Sequence, residues 1–313
     1  MYAAPPEIET KVFTRLPDEF RESGKKTLWS QVSQMSGDIH SFLEGPSFDL
    51  DGNLYCVDIP WGRIFKISPK GEWTLVVQYE GNPNGLKIHK DGRIFIADRL
   101  RGIMVLDPDK GVVEPLLTQP NLDPLRGCND LVFASNGDLY FTDPGRSSLN
   151  NPTGRVYRLK DERRLELLIV NAPFPNGLVL NAAETHLMVA VTKANAIWRF
   201  PVVMADDIEV YGDSTATPVG LFIQLSGGHS GPDGLALDQE GNLAIAHSAH
   251  GTAWLFNAGG EPLLRIRSTA GERVTNLAYG GSEGKTLYIT ESGSGSILTA
   301  EVKVPGRVMF SHM

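Results

Sequence analysis

The chain has 313 residues, 41% hydrophobic and 21% charged, enough for a sizeable core and too balanced for wholesale disorder. Its formal net charge of −8 disfavours a nucleic-acid or anionic-membrane surface, and no apolar run is long enough for a transmembrane helix. Two cysteines, Cys56 and Cys128, exclude a disulfide scaffold and a Cys-rich metal site. Reduced thiols and the absence of an apolar signal core lead us to expect a cytoplasmic protein.

The first patterned segment is KVFTRL (11–16). Six similar units follow: GPSFDLDGNLYCVD (45–58), GLKIHKDGRIFIAD (85–98), DLVFASNGDLYFTD (130–143), GLVLNAAETHLMVAV (177–191), GLALDQEGNLAIAH (234–247) and LAYGGSEGKTLYITE (277–291). Each is an apolar run, a polar turn and a second apolar run. Asp51-Gly52, Asp91-Gly92 and Asn136-Gly137 supply the residues that tight hairpins need. A third run follows in every unit (GRIFKI, GIMVLD, GRVYRL, AIWRF, TAWLF, SILTAEV). A fourth follows in several, such as WTLVV and LELLIV.

The residues just before these units, Glu44, Asn84, Asn129, Asn176, Asp233 and Asn276, recur about every 46 residues. Four short strands at that period predict an all-β chain folded as a six-bladed β-propeller, one domain over 1–313. The WD signature is absent. The long gap from 176 to 233 implies an insertion at 204–226. Residues 1–40 are expected to close or cover the ring, with KVFTRL pairing the last blade and removing an open edge. Stacked β-sandwiches would not explain six equal registers.

The first strand of a propeller blade lines the central channel, so the six register residues converge on one end of it. They are one Glu, four Asn and one Asp: oxygen donors without His or Cys, a set that suits a hard cation such as calcium. Any one of them alone reads more readily as an ordinary turn residue than as a ligand. Their equivalence across six units favours a central axial metal site.

The segments E-G-P (44–46), R-x-x-N-D (126–130), F-T-D-P (141–144), P-N-G-L (175–178) and P-D-G-L (232–235) resemble the gluconolactonase / senescence-marker-protein (regucalcin) family over residues 38–310. That resemblance implies a six-bladed propeller with an axial divalent metal and a lactonase activity, often on sugar lactones. It implies metal ligation by Glu44, Asn129, Asn176 and Asp233, with Asp233 also catalytic. Substrate contacts are implied for Arg126 and Asn129. Arg126 stands three residues before Asn129, where the family's common spacing is two. Asn84 shares the register and is read as a substrate contact. Phosphotriesterase-like relatives hold a second calcium through an aspartate and a histidine. Ala236 and Thr275-Asn276 stand in those places, so one metal is expected.

The expected chemistry is metal-polarised opening of a lactone, with Asp233 as general base or as nucleophile. Calcium is the expected ion, with zinc, manganese and magnesium as alternatives. A small lactone is the expected partner, with no nucleic acid and no membrane. His229, in GGHSGPDG, reads as a rim residue that contacts substrate. His247 and His250 read more blandly as loop or core histidines. Asp58, Asp98 and Asp143 share one repeat position, which favours a blade-stabilising acceptor. The tryptophans Trp61, Trp73, Trp198 and Trp254 are expected between blades, and KDERR (160–164) in a solvated hairpin. No G-x-S-x-G supports a serine hydrolase, and ESGSGSI lacks a phosphate-loop lysine. The alternative to an enzyme is a propeller that binds calcium or a partner. Two carboxylates aimed at one axial point argue against a plain scaffold.

Overall fold

The computed structural model describes residues 4–33, 39–119, 123–202 and 219–313. Two strands open the chain, β1 (Glu7–Glu9) and β2 (Lys11–Arg15), followed by a short helix, α1 (Leu28–Val32). The first blade is β3–β6 (Leu43–Phe48, Leu54–Asp58, Arg63–Ile67, Trp73–Gln78). The second is β7–β10 (Pro83–Ile88, Ile94–Asp98, Gly102–Asp107, Val112–Leu117). The third is β11–β14 (Leu131–Phe133, Leu139–Asp143, Gly154–Lys160, Arg164–Ala172). The fourth is β15–β18 (Pro175–Leu180, His186–Val191, Ala196–Pro201, Gly220–Gln224). The fifth is β19–β22 (Pro232–Leu237, Leu243–His247, Thr252–Phe256, Pro262–Arg267). The last is β23–β25 (Val274–Gly280, Thr286–Glu291, Ser296–Glu301), completed by β2, which pairs antiparallel with β25. No helix among the described residues is long and apolar enough to cross a membrane.

Within each blade the strands meander antiparallel from the axis outward. The second strands LYCVD, IFIAD, LYFTD and LAIAH are buried along their whole length. Both of their faces pack against neighbouring blades, which explains near-continuous apolar runs where a half-exposed strand would alternate. Six apolar clusters fill the six seams between adjacent blades, including the one between the last blade and the first. Cys56 and Cys128 lie in two of these seams as buried free thiols. Trp73, Trp198 and Trp254 also pack into seams, as expected.

Two expectations need correction. The insertion read at 204–226 overlaps β18, a true fourth strand. Ile197 pairs Ile223 there, and Ile223 is buried against the fifth blade. The rest of that stretch, up to 218, lies outside the described residues. The β1 strand was not foreseen; it adds to β22 in parallel, giving the fifth blade a fifth strand.

Candidate active site

The register residues meet because their blades approach backbone to backbone. The next residue is glycine in four units. A Cβ on Gly45 would sit 2.7 Å from Leu86 N, and one on Gly177 would sit 2.4 Å from Asp233 O. Gly85 faces Asn129 and Asp130, and Gly234 faces Asn276. Each glycine therefore touches the register of the following blade, and the six positions close into one ring. Threonine hydroxyls tie the same layer: Thr142 donates to Asn176 O (2.9 Å), Thr192 to Pro232 O (2.8 Å) and Thr275 to Leu43 O (2.9 Å).

A repeated acid fixes the entry to four of the six register residues. Asp58 accepts from Phe42 N (2.7 Å), Asp98 from Asn82 N (3.1 Å) and Asp143 from Gly127 N (2.8 Å), in each case two residues before the ring position. Glu291 accepts from Arg273 N (3.1 Å) in the last blade. The blade-stabilising reading of this aspartate position is therefore correct, and Asp143 serves it too. Burial raises the Asp58 pKa to about 6, with the Arg63 guanidinium and the Phe42 N–H opposing that rise.

The ring members differ in how many of their polar atoms are already engaged. Asn276 is the most engaged: its amide donates to Glu44 Oε2 (2.8 Å) and Asp130 Oδ2 (3.2 Å), and its oxygen accepts from Leu277 N (2.8 Å). It braces the ring, with one lone pair of its amide oxygen left unengaged among the described residues. Glu44 Oε2 also accepts from Gly45 N (2.8 Å), while its Oε1 has no partner among the described residues. Asn176 donates to Thr192 Oγ1 (3.1 Å) and to the Asp233 carboxylate. Asn84 and Asn129 are buried and make no side-chain hydrogen bond among the described residues. Glu44 Oε1 and the side chains of Asn84 and Asn129 are thus left without a hydrogen-bond partner among the described residues of the ring.

The electrostatics of the ring call for a cation. Burial, then the charge of Asp130, raises Glu44 to a pKa of about 8. Asp233 keeps a solvent-facing edge at the mouth but is densely surrounded. Burial, then the charges of Glu44 and Asp130, holds its pKa well above the usual carboxylate range, with hydrogen bonds from Asn176 and Ser248 opposing. Asp130 is raised by burial, with Lys87 opposing. Three carboxylates in this space cannot all ionise unaided. Among the described residues no group of three or more Asp, Glu, His or Cys side chains is arranged to hold a metal ion, so a cation here would need the asparagine amides as well as the carboxylates. All of its donors are oxygens, and the set fits a divalent hard cation.

Asp130, Ser248 and Lys87 were not singled out from the sequence. Asp130 carried a signal, since it stands where four other units have glycine. Arg126 lies outside the ring, exposed at the rim, with Nη1 donating to Thr153 O (3.1 Å). His229 is exposed on the loop before β19. His247 is fully buried at the end of β20, where other blades carry the acid. Its Nδ1 accepts from Trp254 Nε1 (3.3 Å), and burial lowers its pKa to about 4, so it is neutral.

Residues 42–293 match the model of the SMP-30/gluconolactonase/LRE-like region. The chain is 35% identical over 237 residues to lactonase drp35 of Staphylococcus aureus, covering 72% of this chain and 69% of that one. The chain belongs to this family and is a lactonase. Against the Staphylococcus haemolyticus lactonase drp35, identity is 33% over 79% of this chain and 73% of that one. The lactonase superposes on a calcium-binding regucalcin from Agrobacterium tumefaciens with a TM-score of 0.75 at 19% identity, over 99% and 100% of the two chains. A gluconolactonase from Xanthomonas campestris gives 0.69 at 22% identity, over 85% and 86%. At those identities the structural likeness speaks for the six-bladed fold alone.

Proposed function

We propose that Glu44, Asn129, Asn176 and Asp233 hold one divalent cation, most simply calcium, and that a lactone is hydrolysed above it. The carrying observation is the ring's unengaged oxygens beside carboxylates that cannot ionise together without a positive charge. The calcium-binding description of a regucalcin with the same fold supports that ion. When bound, the cation polarises the lactone carbonyl and stabilises the developing oxyanion. Asp233 is the residue placed for proton transfer, because it combines an exposed edge with an orientation fixed by Asn176 and Ser248. It takes the proton of the water that adds to the carbonyl carbon. As the ring C–O bond breaks, that proton passes to the departing alkoxide, leaving a hydroxy acid.

Thr275, where a second-calcium histidine would stand, spends its hydroxyl on Leu43 O, and Ala236 offers no donor, so one ion per chain is our reading. Arg126, Asn84, Asn129 and His229 are the proposed substrate contacts, and a sugar lactone or related cyclic ester is the proposed substrate. A cytoplasmic site of action is also part of this reading.

The test is proton release from a panel of γ- and δ-lactones with calcium, manganese, magnesium or zinc, comparing the native chain with Asp233→Asn. Loss of turnover in the variant, with metal binding measured in parallel, supports the assignment. Undiminished turnover in Asp233→Asn overturns it. A single turnover in ¹⁸O-labelled water separates the two roles of Asp233. Label gained on the protein identifies a nucleophile, because a general base puts label in the product acid alone.

A further inference from the structure

Three arginine-bearing loops converge at the mouth between the second and third blades. Gly127 allows it: with φ at +137°, a Cβ there would lie 3.3 Å from Arg99 Cγ and 3.6 Å from Gly145 Cα. A Cβ on Gly145 would lie 2.9 Å from Arg126 Cβ. Arg99, Arg126 and Arg146 therefore leave the backbone around one small patch. That patch is tied to the ring at two points. Arg99 N donates to Asn82 O (2.9 Å), two residues before Asn84, and Gly127 lies two residues before Asn129.

Among the described residues no carboxylate pairs with these guanidinium groups. Arg99 is half-buried and Arg146 is exposed, and neither forms a salt bridge among the described residues. Among the described residues the Arg126 side chain donates to the Thr153 carbonyl alone. The nearby acids already serve other donors, and Asp143 accepts from the Arg126 and Gly127 backbone amides (2.7 and 2.8 Å). Asp98 accepts from Tyr79 Oη and from the Leu100 and Arg101 amides. Asp143 and Asp123 both accept from Arg155. Burial, then the charge of Arg146, lowers the pKa of Arg99, with no carboxylate opposing it. Like charges gathered at one spot repel, and an oxyanion bound there relieves that repulsion.

We propose that Arg99 and Arg146 form an oxyanion subsite at the mouth, so that the preferred lactone carries a carboxylate or phosphate group beyond its ring. The proposal rests on the lactonase reading and names its substrate class. Arginine suits either group because its planar donors match both geometries. Arg126 lies beside the subsite, on the side of Asn129.

The test compares γ-carboxy-γ-butyrolactone with its methyl ester, two substrates that share a ring and differ by one charge. The readout is the ratio of their kcat/KM values, acid over ester, in the native chain and in Arg99→Gln/Arg146→Gln. Removing charge-assisted hydrogen bonds that only the acid makes lowers that ratio by about 10-fold or more. Arg164→Gln, in the outer hairpin of the third blade, leaves the ratio where it was. A ratio unchanged in the double variant overturns the proposal while leaving the hydrolase intact.

If neither lactone is turned over, this ring is not a substrate and the subsite is tested by binding alone. Calorimetric titration with inorganic phosphate and with the ring-opened dicarboxylate then decides the subsite: equal binding, or none, in the native and variant chains overturns it. A phosphorylated sugar lactone run beside the carboxylated one tells which oxyanion is preferred. Competition by free phosphate that vanishes in the variant shows the subsite holding the anion without the ring. Arg146→Gln alone, at an exposed position, keeps the test usable if the double variant does not fold.

Discussion

The two ends of the axial channel are built by the same six strands and are chemically opposite. At the near end, first-strand residues present Glu44, Asn84, Asn129, Asn176, Asp233 and Asn276 to one another, with Asp130 alongside. A few residues further along those strands, the far end is lined by Val132, Phe133, Leu180, Leu237 and Leu277 around a cavity of about 120 Å³. Residues 303–313 close it. Arg307 reaches across to Glu184 (2.5 Å), Phe310 stacks on Phe133 with centroids 4.9 Å apart, and Ser311 donates to Phe48 O (3.3 Å). Lys87 stands between the two ends, the cation that faces Glu44 and Asp130 from below. The contrast shows how a propeller becomes a one-mouthed site. Apolar packing narrows one end, and the other retains polar groups left without partners among the described residues.

Breaking the near end has the largest expected effect. Asp233→Ala removes both a carboxylate oxygen and the proton acceptor, and a loss of about 100-fold or more in kcat is expected in lactone hydrolysis assays. Next comes the coupling between the ring and pH. The native-state pKa of Glu44 is raised from 4.5 to about 8, so the folded metal-free chain keeps a proton that the unfolded chain releases. Its contribution to stability is full below about pH 4.5 and is lost as pH climbs towards 8. Thermal melts of metal-free protein should therefore fall across that window. Calcium should raise the melting temperature more at pH 8 than at pH 5, and Glu44→Gln should flatten the slope while weakening calcium binding.

Breaking the far end sharpens the comparison from the other side. Phe310→Ala removes a ring buried against Phe133 and His89, and a loss of about 3 kcal/mol is expected in denaturant unfolding, with calcium affinity retained. Parallel losses of calcium affinity and stability would show that the two ends are not independent. The smallest effect is expected far from both. Glu162→Ala cuts an exposed pair with Arg93 and should change stability by less than about 1 kcal/mol.

What could be read from the sequence divides along the same line. The near end was legible because it repeats: six equivalent positions, glycines after four of them and acids at the ends of four second strands make a pattern that one unit could not. The far-end closure was not legible, because residues 303–313 belong to no repeat and work by packing against several blades at once. Asp130 was overlooked for a related reason. It breaks the repeat at a glycine position, and only the fold shows its carboxylate meeting Asn276 of the opposite blade. Ser248 follows a second strand like any turn residue, and its hydrogen bond to Asp233 depends on how β19 and β20 are paired. The fourth strand β18 was absorbed into the insertion because its neighbours blurred the spacing.

The central claim is that one cation in this ring is required for lactone opening. The most direct measurement strips the lactonase with EDTA, removes the chelator and titrates calcium back while proton release from a lactone is followed. Our account predicts no turnover in the stripped protein and recovery that levels off at one equivalent of calcium per chain. Full turnover after stripping, or binding of one equivalent without recovery, would contradict it.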